Sequence, residues 1–179
     1  MGSLRIAFDP WVLAPRFRHQ GTNVYALNLI SQFRKAAAQI PELEFRLFGP
    51  AQGFDAELSE PSVNFSFISD RLFRHERLWR LGGASLAARR IDADVMFSPS
   101  CNIFPLHEPP VVCTIHDATP FVMPSQSRSM VVTQKFFLRS SAQRSRAIIT
   151  VSERSKEDLV ETCNVPPEKI SVVYNGYDK

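Results

Sequence analysis

The feature that most constrains this chain is a series of short apolar runs separated by helix-length segments. The runs are Leu4–Phe8, Phe45–Phe48, Val63–Ile68, Val95–Phe97, Val111–Ile115, Ala147–Val151 and Ile170–Val173. Most are apolar nearly throughout, as strands covered on both faces of a parallel sheet must be. Val63–Ile68 alternates for part of its length and is predicted to lie near a sheet edge. Between the runs, Thr22–Gln39 carries Val24, Leu27, Leu29, Ile30 and Phe33 at spacings that suit one buried helix face, and Pro41 ends it. Ser129–Arg144 reads as a second helix. Ser152–Thr162 reads as a third, with Ser152 as N-cap, Leu159 and Val160 facing inward, and Asn164 with Pro166-Pro167 closing it. Such alternation means βαβ units, and right-handed crossovers put helices on both faces. The predicted fold is α/β: a Rossmann-like, doubly wound, mainly parallel sheet.

At 179 residues, with 44% apolar and 22% charged side chains, the chain suits one globular domain with a real core. A net charge of +3 does not imply nucleic acid, and none is expected as a partner. Cys101, Cys113 and Cys163 are odd in number and lack CxxC spacing, so a reducing compartment is a simpler reading than a disulfide framework or a zinc site. Leu4–Phe8 is too short for a secretory signal and runs into Asp9-Pro10, and no apolar run approaches the ~18 residues of a membrane span. The expected location is cytoplasmic. Charge is concentrated in Arg71–Arg90, where arginines 71, 74, 77, 80, 89 and 90 face one acid, Glu76. Two readings of that stretch stay open. One is a packed helix with a basic outer face, interrupted at Gly82-Gly83; the other is a peripheral contact with anionic lipid on the inner face of the membrane.

Ligands of open α/β sheets bind beyond the C-terminal strand ends, where strand order reverses. The loops after the runs are therefore the candidate sites. Asp9–Gln20 holds Arg16 and Arg18 and ends in Gly21-Thr22-Asn23, where the first helix begins. A glycine there lets an anion reach unpaired backbone N–H groups and the positive helix end. A plain turn glycine is the alternative, and the absence of GxGxxG disfavours NAD. After Val111–Ile115 comes His116-Asp117. The histidine can hydrogen-bond a sugar hydroxyl or phosphate, or move a proton near neutral pH. Alternatively, Asp117 fixes the loop and His116 is a buried hydrogen-bonding residue. Ser98-Pro99-Ser100-Cys101-Asn102 follows another strand and could line the same cleft. His75 and His107 fall in other segments, and nothing groups them into a metal site.

Taken in order, these loops resemble the N-terminal domain of GT-B glycosyltransferases of family 4. The resemblance runs through Arg5-Ile6-Ala7-Phe8-Asp9, the Gly21 loop with Val24-Tyr25-Ala26-Leu27-Asn28-Leu29, Asp94–Pro99, and Ile115-His116-Asp117 with Pro120 and Pro124 behind it. It is most specific over Ala147–Leu159 and Lys169–Asp178. It implies two Rossmann-like domains facing a cleft: an acceptor-side domain at 1–173, the start of an interdomain linker at 174–179, and a donor-binding C-terminal domain beyond. It further implies sugar transfer from a nucleotide-sugar donor to a hydroxyl of a polysaccharide or lipid-linked glycan, with retention and no obligatory metal. Without its own C-terminal domain the chain would be inactive.

Carried over by position, His116 contacts the donor sugar by a hydrogen bond, beside Asp117. Gly21, with Thr22 and Asn23 beside it, approaches the donor phosphate, and Ser152 and Glu153 match a family pattern, Ser152 as a cap first and a cleft residue second. Arg16, Arg18 and Ser98 join them as substrate-binding candidates by the place of their loops alone. The family loop often has a second glycine and an arginine, where this chain has Gln20, Thr22 and Asn23. Two other readings stay open: a stand-alone module binding a glycan or nucleotide, and half of a nucleotide-sugar epimerase.

Overall fold

The computed structural model of the chain describes residues 2–49, 61–71, 75–102, 109–123 and 127–176. Leu72–Arg74, His107, Pro124 and the end of the linker, Tyr177–Lys179, lie outside them. All seven apolar runs are strands: β1 Leu4–Phe8, β2 Leu43–Gly49, β3 Phe65–Ser69, β4 Val95–Ser98, β5 Val111–Thr114, β6 Ala147–Thr150 and β7 Ile170–Val172. They form one sheet in the order β3-β2-β1-β4-β5-β6-β7, with every adjacent pair parallel. The half-alternating run is an edge strand, β3, as its pattern predicts. Strand order reverses between β1 and β4, so the crevice opens over the ends of those two strands.

The principal helices are α1 Gly21–Gln39, α2 Ala84–Arg90, α3 Arg128–Arg144 and α4 Glu153–Cys163. One expectation about their faces needs correction. In α1 the inward positions are Asn23, Ala26, Ile30 and Ala37, while Val24 and Leu27 are 49% and 37% exposed. Three of the four inward residues are small or polar, and the large side chains at 24 and 27 turn outward. The basic stretch is interrupted at Gly82-Gly83, as its glycines predict. A helical turn, Glu76–Leu78, runs into a π-helical turn, Trp79–Gly83, before α2. Gly82 sits there at φ 137°, a backbone state that only glycine adopts without strain. The turn buries Trp79 completely and leaves Leu78 and Leu81 exposed.

The helix ends follow their sequence signals. Ser152 caps α4 by accepting the Ser155 N–H, and Asn164 ends it in the left-handed conformation at φ 53°. The C-terminus of α3 is closed from a distance. The Lys169 ammonium donates to the carbonyls of Ala142 at 2.7 Å and Gln143 at 2.8 Å. A cation there satisfies carbonyls that no helical N–H can reach, and opposes the negative end of the dipole. Replacing Lys169 with Met keeps the stem and removes both bonds. Urea unfolding is expected to show a loss of about 1 kcal/mol.

Candidate functional site

The crevice is built around a buried acid. Asp9 leaves the end of β1 fully buried, and its carboxylate accepts four hydrogen bonds. Oδ1 takes the Trp11 N–H at 3.1 Å and the Trp79 indole N–H at 2.8 Å. Oδ2 takes the Ser98 hydroxyl at 2.8 Å and the Asn102 amide. Three segments are thereby tied together: the loop after β1, the π turn before α2, and the loop after β4. Burial pushes the Asp9 pKa above the ordinary carboxylate range, and the four donors pull it back.

One strand further along, β5 delivers His116. Its half-buried ring hydrogen-bonds the Pro99 backbone, and Nε2 is buried with no hydrogen-bond partner. Proline has no N–H, so the ring must donate to the Pro99 carbonyl, and the donor is Nδ1. Neutral His116 therefore presents an unshared lone pair at Nε2. Burial holds the imidazole below its usual 6.5, against Asp117 and the Pro99 bond, which both favour charge. The edge of the Tyr25 ring meets the His116 ring at 4.7 Å between centroids, and the Tyr25 hydroxyl shares a hydrogen bond with the Thr114 hydroxyl at 3.1 Å. Behind His116, its carbonyl accepts from Ser155 Oγ at 2.9 Å, and Ser155 Oγ in turn accepts from Ser152 Oγ at 2.9 Å. The starts of α1 and α4 are thus both fastened to the His116 segment.

Each expected site residue has a definite place. Gly21 is the first residue of α1 and exposed, and a Cβ there would meet nothing within 4 Å. No side chain caps this helix, and the Thr22 and Gly21 amides lie at its open positive end. Asn23 points inward, donating its amide to the Val12 carbonyl at 2.8 Å, so it fixes the loop to the helix. Arg16 is exposed and lies over the rings of Trp11, at 4.5 Å, and Phe17, at 4.6 Å; Arg18 is exposed beside it. Ser98 is fully buried and committed to Asp9, so it forms the floor of the crevice. Asp117 is exposed and accepts the Thr119 N–H at 2.8 Å, fixing the turn Thr119–Val122. Ser152 is a cap, and Glu153 is exposed in the first turn of α4, where a negative charge suits the dipole. Among the described residues, no three His, Cys, Asp or Glu side chains form a metal-binding group.

Three contributors were not offered as site residues in the sequence: Asp9, Trp79 and Tyr25; Asn102 was offered only as part of the loop after β4. Only Tyr25 carried a usable local signal, since it follows Gly21 by four residues and so shares its helix face. The partners of Asp9 lie up to 93 residues away.

An open doubly wound sheet with polar strand ends over its switch point defines a ligand-binding α/β domain. The family profile for Glycosyltransferase Family 4 matches residues 19–179, and the chain belongs to that family. It is 41% identical over 66 residues to the O-antigen chain mannosyltransferase RfbU of Salmonella typhimurium, a match covering 37% of this chain and 18% of the relative. Its fold is similar to that of HepE from Anabaena, solved in complex with UDP and glucose. There the TM-score is 0.52 and the identity 15%, over 98% of this chain and 45% of that one. The chain therefore spans less than half the length of either relative.

Two measurements check this site. Asp9→Ala would strand four buried donors, and a loss of at least about 3 kcal/mol in urea unfolding is expected. In long-range proton–nitrogen spectra, His116 should show the Nδ1–H tautomer at neutral pH and titrate below 6.5. Because the folded value is depressed, the stability this ring contributes is fully present above 6.5 and is lost as pH falls through the folded value. A tautomer protonated at Nε2, or a midpoint above 6.5, contradicts the assignment.

Proposed function

We propose that this chain is the acceptor-side half of a glycosyltransferase that moves a sugar from a nucleotide-sugar donor to a hydroxyl of a polysaccharide or lipid-linked glycan. The observation that carries this reading is the unpartnered Nε2 of His116, buried at a strand end beside the open start of α1. A lone pair there accepts a hydrogen bond from a sugar hydroxyl. The Gly21 and Thr22 N–H groups, with Arg16 and Arg18 on the loop before them, suit the diphosphate of a departing nucleotide. Charge developing on that leaving group would be met by fixed dipoles and cations, with no metal required of this half. The relative named as a mannosyltransferase and the fold neighbour holding UDP and glucose both support donors of this class.

In this reading the chemistry retains the anomeric configuration, residues 1–173 form one wall of the cleft, and 174–179 lead to a second domain that grips the donor. The protein works in the cytoplasm, and the 179 residues alone do not turn over.

The test is transfer by the product of the whole reading frame, offered a panel of nucleotide sugars with activated mannose first. His116→Ala is expected to lower kcat/KM by about tenfold or more, the equivalent of at least ~1.4 kcal/mol of transition-state binding. Unchanged transfer removes His116 from the mechanism. Saturable nucleotide-sugar binding without transfer would identify a binding module instead. Interconversion of nucleotide sugars without an acceptor would identify an epimerase.

A further inference from the structure

Two of the chain's thiols meet beside the floor of the crevice. Strands β4 and β5 are neighbours in the sheet, with Ser98 opposite Cys113. Past Ser98 the chain stays over its neighbour. Cys113 Sγ lies 3.2 Å from the Ser100 carbonyl oxygen, which the Ser98 hydroxyl also reaches at 2.9 Å. That carbonyl belongs to the peptide group leading directly into Cys101, so the Cys101 side chain starts beside the Cys113 sulfur. The two side chains hydrogen-bond each other, Cys113 donating and Cys101 accepting.

The two thiols are chemically unlike. Cys101 is half-buried, whereas Cys113 is fully buried. The Cys113 thiol, and then the charge of Arg80, hold the Cys101 pKa below the usual thiol range against the effect of burial. Arg80 is fixed there by donating to the Cys101 carbonyl at 3.3 Å and to Asn102 Oδ1 at 3.2 Å. Cys113 is pushed well above that range by Cys101 and by burial, so it keeps its proton. A reachable sulfur with thiolate character beside a buried thiol is how a redox-responsive pair is built: the first reacts, the second resolves.

We propose that Cys101 and Cys113 form an oxidation site, a dithiol that hydrogen peroxide closes into an intrachain disulfide. Cys101 sulfur attacks one peroxide oxygen and the O–O bond breaks. Cys101 becomes a sulfenic acid, and the proton shed by its thiol joins the released hydroxide as water. Cys113 sulfur then attacks Cys101 sulfur, the S–O bond breaks, and the Cys113 proton leaves with the hydroxyl as a second water. Two thiols lose two electrons and one peroxide gains them. In a reducing compartment the pair rests as thiols. The bond would tie the loop after β4 to β5. Cys101 stands in that loop between Pro99, which accepts from the His116 ring, and Asn102, which donates to Asp9. Cys113 stands three residues before His116 on the strand. Oxidation therefore acts on the segments that place His116. This inference does not depend on the transferase reading.

The test is to treat the reduced 179-residue chain with hydrogen peroxide, alkylate it with iodoacetamide, and digest it with trypsin. Cys101 and Cys113 fall on one tryptic peptide, 91–128, and Cys163 does not. That peptide is expected to lose two hydrogens and to take up no alkyl group, while Cys163 is alkylated as before. Dithiothreitol should restore both alkylation sites. Cys101→Ser should slow the oxidation of Cys113 at least tenfold, and Cys113→Ser should leave a sulfenic acid on Cys101 that dimedone traps. The ring signals of His116 should shift on oxidation and return on reduction. The proposal is overturned if Cys101 goes to sulfinic acid with Cys113 still reduced, or if it pairs with Cys163 or with a second chain. Both thiols staying alkylatable in peroxide that oxidises free cysteine would overturn it as well. His116 signals that ignore the disulfide would overturn the link to the crevice.

Discussion

The crevice depends on one buried negative charge. A carboxylate removed from water is costly unless its lone pairs are met, and Asp9 meets them with donors from three separate segments. Two of those segments are connections outside the sheet, the first opening on a 3-10 turn at Trp11, and the third is a π-helical turn, so the sheet's backbone ladder holds none of them in place. Each gains a fixed position by satisfying the same carboxylate. The effect reaches the chemistry through a short covalent step. Ser98 is bonded to Asp9, and its neighbour Pro99 accepts the His116 ring. Asp9 thus helps to hold the segment whose Pro99 carbonyl accepts from the His116 ring.

This layout explains what could be read from the sequence and what could not. The strands were legible because a parallel sheet covered on both faces demands continuous apolar runs, and β3 betrayed its edge position by alternating. Ser152 and Asn164 were legible because capping is a local interaction, decided within about one helical turn. The outward turn of Val24 and Leu27 was not, since the distance between α1 and the sheet is set by Ala26 and Ala37, and periodicity alone cannot rank small residues above large ones as the buried set. Asp9 was illegible for a stronger reason. Its meaning lies in Trp79, Ser98 and Asn102, which no local pattern connects to it. Trp79 in particular sits among arginines, so the stretch reads as a charged surface while its single indole is an internal strut.

His116 shows how structure narrows a residue type to a chemical role. Histidine in a sequence offers a donor, an acceptor or a base. The Pro99 carbonyl takes the Nδ1 proton, burial keeps the ring neutral, and Tyr25 and Ser155 restrain the ring and its backbone. What is left is a buried, unshared lone pair on Nε2, a group that suits a hydroxyl donor rather than an anion. The phosphate contact is assigned in the proposed function to the start of α1, one helical turn from Tyr25. In that reading sugar and phosphate recognition come from different elements, joined by the contact between Tyr25 and His116.

The same connectivity relates the crevice to α3. The chain leaves β5 at Thr114, passes through His116 and Asp117, and makes the turn Thr119–Val122, with α3 beginning at Arg128. Asp117 fixes that turn, and Phe121 within it lies under Lys135 and Arg139 of α3. The backbone that presents His116 is therefore held from two directions, by Ser155 at the start of α4 and, through the Phe121 turn, by two cations of α3. A ring whose one free nitrogen is to meet a ligand needs such bracing, because a hydrogen bond loses its strength within a few tenths of an ångström and a few tens of degrees.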